Sequence, residues 1–190
     1  MLRPERRDLP VTAYRLAAIF ALVLTASAHA QIVLHGRDSP AGEARATTGS
    51  FSIRFPVPYK DVEYQGAELK AGGGNETASA VHMLSGVDPD GLKFSASEML
   101  LHQPLPPIDS FLETTKSRPG AVASEVQHQQ KDGLEILSFV LSEASQEYFY
   151  RMIRSKTAGY VLVVQFPAGL RNKAVGMKDD FFGSFKIVPH

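Results

Sequence analysis

The chain has 190 residues, of which 44% are hydrophobic and 21% charged, and its 20 Lys and Arg balance its 20 Asp and Glu. This composition is that of an ordinary globular domain rather than of a disordered tail. A formal net charge of zero gives no basic footprint of the kind that binds nucleic acid, so we expect no nucleic-acid partner. The chain contains no cysteine, which excludes disulfides, thiol nucleophiles, zinc–thiolate sites and iron–sulfur clusters.

The N-terminal segment has the pattern of a secretory signal peptide. Four arginines and two acidic residues precede an uncharged run over 16–28, which ends in the small-residue pattern Ala28-His29-Ala30. The run is too short for the roughly 20 residues that a membrane-spanning helix needs. The sequence therefore predicts residues 1–30 as a signal peptide cleaved after Ala30, export to the bacterial periplasm or medium, and no stable membrane span afterwards. The pair Arg6-Arg7 lies in a poor context for the twin-arginine route, which favours general secretion.

The rest of the chain is predicted to be one domain behind a flexible leader. Residues 31–49 are rich in Gly, Ala, Ser and Thr and have no sustained hydrophobic period, so we expect them to be the leader. The domain over 50–190 begins with a half-buried strand, because Phe51, Ile53 and Phe55 alternate with polar residues.

Turn and helix signals divide this domain into its further elements. The predicted elements are a hairpin over 77–101 with a turn at Asp88–Gly91, a helix that begins with a capping box at Ser110 and ends at Lys116, strands over 124–130, 134–143, 147–156 and 160–166, a helix over 172–182 and a last strand over 185–188. Little alternation over 134–141 and 160–164 predicts two strands that are covered on both faces. This order predicts an α+β fold, mainly an antiparallel β-sheet packed against α-helices.

Three segments resemble the PsbP-like family. They are Phe51-Ser-Ile-Arg-Phe-Pro56, the segment from Tyr148 to Arg151 followed by Gly159-Tyr-Val-Leu-Val-Val164, and Phe181-Phe-Gly-Ser-Phe-Lys186. The family includes the extrinsic photosystem protein PsbP, a Ran-binding import factor and many small exported bacterial proteins. The similarity spans residues 50–188, and it implies an antiparallel sheet sandwiched between helices in a module that binds a protein partner.

Histidine spacing gives no sign of a metal site. The five histidines that follow the predicted cleavage site never recur at i, i+2 or i, i+4, the spacings that a ligand pair on one strand or helix needs. We therefore expect surface residues, each of which should cost less than about 1 kcal/mol of stability when replaced by Ala. These histidines are His35, His82, His102, His128 and His190.

Other polar motifs also have ordinary structural interpretations. The turn Asp88–Gly91 lacks the ligand spacing of a calcium loop, and Gly72–Gly74 lacks the ending of a phosphate-binding loop. The adjacent carboxylates Asp179-Asp180 fit a solvated helix face. The aromatic and basic residues of the strand Tyr148–Arg154 fit packing better than RNA binding. Asn75 heads a glycosylation sequon that has meaning only in a eukaryote.

Two functions follow as hypotheses from the sequence. The first is an exported non-enzymatic module that binds a protein partner in the cell envelope. The alternative is a small periplasmic hydrolase or lyase whose site is assembled from residues distant in sequence. No catalytic, cofactor-binding or metal-binding residue is predicted, and we expect packing residues such as Phe181 and Phe185 to be the indispensable ones.

Overall fold

A computed structural model describes residues 24–26, 31–35, 38–71, 77–101 and 107–188 of the chain. The strands are β1 (Leu24–Ala26), β2 (Gln31–Leu34), β3 (Gly42–Arg45), β4 (Phe51–Phe55), β5 (Tyr59–Ala71), β6 (Thr77–Val87), β7 (Lys93–Leu101), β8 (Ala121–Lys131), β9 (Leu134–Glu143), β10 (Gln146–Arg154), β11 (Ala158–Pro167) and β12 (Lys186–Ile187). The α-helices are α1 (Ile108–Lys116) and α2 (Arg171–Gly183), and a short 3₁₀ helix over Ala168–Leu170 precedes α2.

The strands form two antiparallel sheets. The large sheet has nine strands in the order β1-β5-β6-β7-β11-β10-β9-β8, with β2 also paired to β5, and the small sheet has the order β12-β4-β3. Strands β8 to β11 follow one another as hairpins, as their short polar turns predict. In the β8–β9 turn Asp132 and Gly133 both have positive φ, 54° and 77°, which is the conformation of a type I′ turn. The predicted α+β class with a mainly antiparallel sheet is confirmed.

The large sheet is covered on two faces, each with its own apolar core. The small sheet and α2 cover the first, which we call the sandwich face; α1 packs on the second, the α1 face. All residues of β11 from Ala158 to Val164 are buried, so this central strand is covered on both faces as its continuous apolar sequence predicts. The two helices therefore lie on opposite sides of the sheet.

Two expectations about the secondary structure are wrong. The segment 31–49, expected as a flexible leader before a domain over 50–190, contains β2 and β3, and Ala44 and Ala46 are only 1% and 2% exposed. Small residues give no hydrophobic period, yet they allow β3 to pack closely on the core.

The capping box at Ser110 is also absent. Helix α1 begins at Ile108 with Pro107 as its N-cap, and the Ser110 amide already donates to the Pro107 carbonyl at 2.9 Å. The side chain of Glu113 contacts Lys116 at 2.9 Å instead of reaching back to the helix start. Proline fixes its own φ angle, so the helix begins directly after Pro107, at Ile108, two residues before Ser110.

Aromatic rings join α2 to both sheets. Phe181 is 1% exposed, and its ring lies 5.3 Å, in edge-to-face geometry, from the rings of Phe55 on β4 and Phe94 on β7. Phe185, which follows α2, stacks on Phe51 at 5.9 Å and meets Tyr160 at 5.3 Å. Both predicted packing residues thus lie on the sandwich face.

A salt bridge holds the start of α2 against the β6–β7 turn. Lys173 bonds Asp88 and, at 2.7 Å, Asp90, while the Leu92 amide donates to the Asp88 carboxylate at 2.7 Å. Burial by itself would raise the pKa of Asp88, but the Lys173 ammonium and the Leu92 amide outweigh it and hold that pKa below its ordinary value of 3.8. The predicted turn at Asp88–Gly91 is confirmed, with the Gly91 amide 3.0 Å from the Asp88 carbonyl.

We predict that Phe181→Ala lowers the free energy of unfolding by about 3–5 kcal/mol, because it removes a fully buried ring from the contact between α2 and both sheets. Val175→Ala, on the same helix at a residue 41% exposed, should change it by less than about 0.5 kcal/mol. Urea unfolding followed by circular dichroism measures both. Equal midpoints for the two variants would contradict the packing role of Phe181.

We also predict a specific loss of stability in acid through Asp88. Its pKa is lower in the folded than in the unfolded chain, so the unfolded chain binds the proton more readily. The contribution of Asp88 is therefore complete above about pH 3.8 and disappears as pH falls through the lower folded-state pKa. Asp88→Asn should flatten the dependence of unfolding free energy on pH below 5, whereas Asp90→Asn, at a carboxylate 61% exposed, should change it less. Identical slopes for the two variants would refute this assignment.

Candidate functional site

Four polar residues form one row across the large sheet. Glu63 on β5 pairs with His82 on β6, His82 with Glu98 on β7, and Glu98 with Tyr160 on β11. We call these four residues the polar row. They lie on the sandwich face and are only 5%, 4%, 1% and 2% exposed, respectively. Two buried carboxylates beside an imidazole are the least ordinary feature of this core.

The turn between β3 and β4, residues 46–50, covers the polar row and bonds to it. Ser50 donates its amide to Glu98 Oε2 at 2.7 Å and its hydroxyl to Glu98 Oε1. Since the Ser50 hydroxyl proton is used in this way, the Tyr160 hydroxyl, 2.8 Å away, donates to Ser50 Oγ. Burial raises the pKa of Tyr160 above its ordinary value of 10.0. The hydrogen bond with Ser50 lowers this pKa, and the nearby Glu98 carboxylate raises it further. The phenol is therefore a neutral hydrogen-bond donor at neutral pH.

The other half of the row is bonded in the same way through Thr48. Thr48 Oγ1 donates to Glu63 Oε2 at 3.0 Å and lies 2.7 Å from His82 Nδ1. Because the hydroxyl has one proton and gives it to Glu63, the Nδ1 atom of His82 supplies the proton of the second contact. His35 Nε2 also meets Glu63 Oε2, at 2.9 Å. Two hydroxyls and two imidazoles therefore surround the buried carboxylates.

Gly49 allows the turn to lie this close to the row. A Cβ atom placed on Gly49 would be 2.9 Å from Ala46 Cβ, 2.9 Å from Glu98 Oε2 and 3.2 Å from His82 Cβ. Real side chains essentially never approach to the shorter distances, so only glycine fits between Thr48 and Ser50.

The hydrogen bonds of the polar row have a structural role. Carboxylate, imidazole and phenol are groups that general acid–base catalysts use. In this fold, however, Thr48 and Ser50 occupy hydrogen-bonding positions on both carboxylates, and the Ser50 hydroxyl points to Glu98 rather than to an imidazole. Hydrogen bonds to charged groups contribute about 1.5–3 kcal/mol each. The row thus fixes the small sheet on the large one.

The structure corrects one of the histidine predictions. His82, expected on the surface, is 4% exposed and hydrogen-bonded, so a small cost for His82→Ala no longer follows. The side chain of His35 is 18% exposed. The side chain of His128 is 53% exposed beside Asp109 at 3.4 Å, as expected of a surface residue. His102 and His190 lie outside the described residues.

One signal in the sequence could have located part of the row. The turn at Asp88–Gly91 sets the register of its hairpin, and counting back from it places His82 opposite Glu98, as observed. Glu63 gives no such signal, because the register of β5 against β6 shifts between Gln65 and Leu69, so counting back along this hairpin does not lead to its partner His82. Tyr160 and Ser50 join through a contact between residues 110 positions apart.

Other residues singled out in the sequence have structural roles. Tyr148 and Tyr150 are buried on the α1 face, Arg151 lies 5.0 Å above the Phe182 ring, and Arg154 pairs with Glu135, which confirms packing for this strand. The glycines 72–74 and Asn75 lie outside the described residues. Asp179 and Asp180 are exposed on α2, as a solvated face requires.

Within the described ranges, no three His, Asp or Glu side chains are arranged as metal ligands. In the same part of the chain, no helix has the length and apolar character to cross a membrane. Comparison with models of known protein families gives no match, and comparison with curated proteins gives none either.

We predict opposite effects of two Gly→Ala substitutions. Gly49→Ala should lower the free energy of unfolding by about 1–3 kcal/mol, because the new methyl group overpacks the contact with the polar row. Gly176→Ala adds a methyl group on α2 with nothing within 4 Å, and it should stabilise the chain by up to about 1 kcal/mol through helix propensity. Urea midpoints of both variants test this. A neutral Gly49→Ala would show that the turn does not depend on its close approach to Glu98 and His82.

Proposed function

We propose that this chain is an exported, non-catalytic module of the PsbP-like type that binds an extended segment of a partner protein along the outer edge of β8. Export is supported by the signal-peptide pattern and the Ala28-His29-Ala30 motif. The PsbP-like assignment is supported by the quoted segments and by an antiparallel sheet with α1 and α2 on opposite faces.

The open edge of β8 is the observation that carries the proposal. In the described part of the chain β8 pairs only with β9, so one row of its backbone N–H and C=O groups has no strand beside it. From Glu125 to Lys131 every residue is exposed. Val122 and Val126 on this strand are 64% and 43% exposed. An added strand would bond this backbone and cover both valines.

The other edge of the large sheet differs. There β2 pairs with β5 over Val62–Gln65. Strand β1 pairs with it over Leu69–Ala71, but β1 lies in the segment that the predicted cleavage removes. In the described part of the large sheet, the longest stretch of backbone that is open to a partner strand is therefore on β8.

A bulge divides the edge into two segments. The pairing of β8 with β9 shifts between Ser124 and Gln127, and Glu125 has φ of 54°. Glu125 is held there by Arg171 of α2 at 2.7 Å. The segment before the bulge carries Val122, and its residues Ala121 and Ala123 pack on the core of the α1 face, which makes it the firmer support for a partner strand.

The alternative, a small hydrolase or lyase, has one observation in its favour. The polar row brings together groups distant in sequence that acid–base catalysis uses. The turn 46–50 occupies their hydrogen-bonding positions, and this favours the binding module. Turnover of ester, glycoside or polysaccharide substrates by the purified protein would favour the enzyme instead.

We predict that Val122→Lys combined with Val126→Lys abolishes partner binding while the fold is retained, since lysine on an edge strand opposes strand addition and both sites are exposed. Val175→Lys is the matched control, because Val175 is 41% exposed but lies on α2. Each tagged protein is exposed to its own cell envelope, and the captured partner is identified and then purified. Hydrogen exchange then tests whether that partner slows the exchange of the backbone amide protons of β8.

Three results would count against this proposal. One is a partner that binds the double variant as tightly as the native chain. Another is protection by the partner that falls outside β8. The third is sedimentation showing a dimer that the double variant dissociates, which would make a second copy of the chain the occupant of the edge.

A further inference from the structure

We propose that the mature chain begins with a pyroglutamate formed from Gln31, and that this closed N-terminus preserves strand β2. The inference rests on the export proposed above, and it concerns a different part of the molecule from the β8 edge. It adds a covalent modification site to that function.

The predicted cleavage point falls between two strands. Strands β1 and β2 both pair with β5, β1 at Leu69–Ala71 and β2 at Val62–Gln65. Cleavage after Ala30 removes β1 and leaves β2 whole, with Gln31 as both the first residue of the mature chain and the first residue of the strand. The new N-terminus is therefore an end of the sheet rather than the tip of a long leader.

An N-terminal glutamine can cyclise to pyroglutamate. Its unprotonated α-amino nitrogen attacks the carboxamide carbon, a bond between this nitrogen and that carbon forms, and the bond from the carbon to the amide nitrogen breaks. Ammonia leaves with the proton, and the product is a five-membered lactam. Nothing is oxidised or reduced and no second reactant is needed. The reaction removes the positive charge of the terminus.

The position of β2 gives this modification a consequence. Strand β2 has four residues and leads directly to His35, which bonds Glu63 of the polar row. Strand β2 pairs on one side only, with β5, in the described part of the chain, so its end can fray, and aminopeptidases act on a free α-amine. Proteolytic trimming from Gln31 would remove β2, which pairs with β5, and would then remove His35, which bonds Glu63. The lactam has no free amine, so β2 and His35 are retained.

The test uses the full chain expressed in an exporting bacterial host, with the secreted protein incubated at neutral pH. Intact mass should equal that of residues 31–190 less one ammonia, N-terminal sequencing should be blocked, and pyroglutamyl peptidase should remove the block. Gln31→Asn is the matched control. Its shorter side chain would have to form a four-membered ring, so its amine stays free and its sequence readable. A general aminopeptidase should trim the asparagine variant and leave the native chain intact.

Several outcomes would overturn the proposal. A chain that begins at Gln31 with its full mass and a readable terminus rules out the lactam. A chain that begins at any other residue rules out both the lactam and the cleavage point, while binding at β8 is still decided by the lysine variants. Equal resistance of the native and asparagine chains to the aminopeptidase rules out the protective role.

Discussion

The attachment of the small sheet to the large one depends on the carboxylate of Glu98. It is 1% exposed, and both of its oxygens accept hydrogen bonds from Ser50. A buried carboxylate without such donors would destabilise the fold by several kcal/mol, so the two sheets are coupled: the turn 46–50 satisfies the charge, and the charge positions the turn. The chain contains no cysteine, so no disulfide can join the two sheets and their attachment depends on non-covalent contacts such as this one.

Polar and apolar contacts alternate residue by residue at this junction. Ser50 bonds Glu98, and the next residue, Phe51, places its ring 6.2 Å from Tyr160 and 5.9 Å from Phe185. Tyr160 takes part in both sets, since its ring packs on Phe51 and its hydroxyl donates to Ser50. A substitution at Tyr160 would therefore weaken both the apolar packing of the core and the hydrogen bonds of the polar row. Double-mutant cycles are needed to separate these two contributions to stability.

The parts of the fold that local sequence determines were predictable. The hairpins follow from turn chemistry at Asp88–Gly91 and Asp132-Gly133, and the burial of β11 follows from its unbroken apolar sequence. The strand β3 was missed because alanine and glycine have no readable period, although Ala44 and Ala46 are buried. The polar row was missed for a different reason: its members lie on four strands, and only the His82–Glu98 pair is fixed by a local turn.

The bulge in β8 determines how far association along this edge can proceed. An open, flat edge is a hazard because identical chains can add to it without limit and form aggregates. Here pairing is continuous only over Ala121–Ser124 and over Gln127–Lys131, and the left-handed backbone of Glu125 between them turns the strand. Neither run is long enough to template an extended cross-β ladder, so the edge can take up a short strand while growth into fibres is opposed by its own geometry.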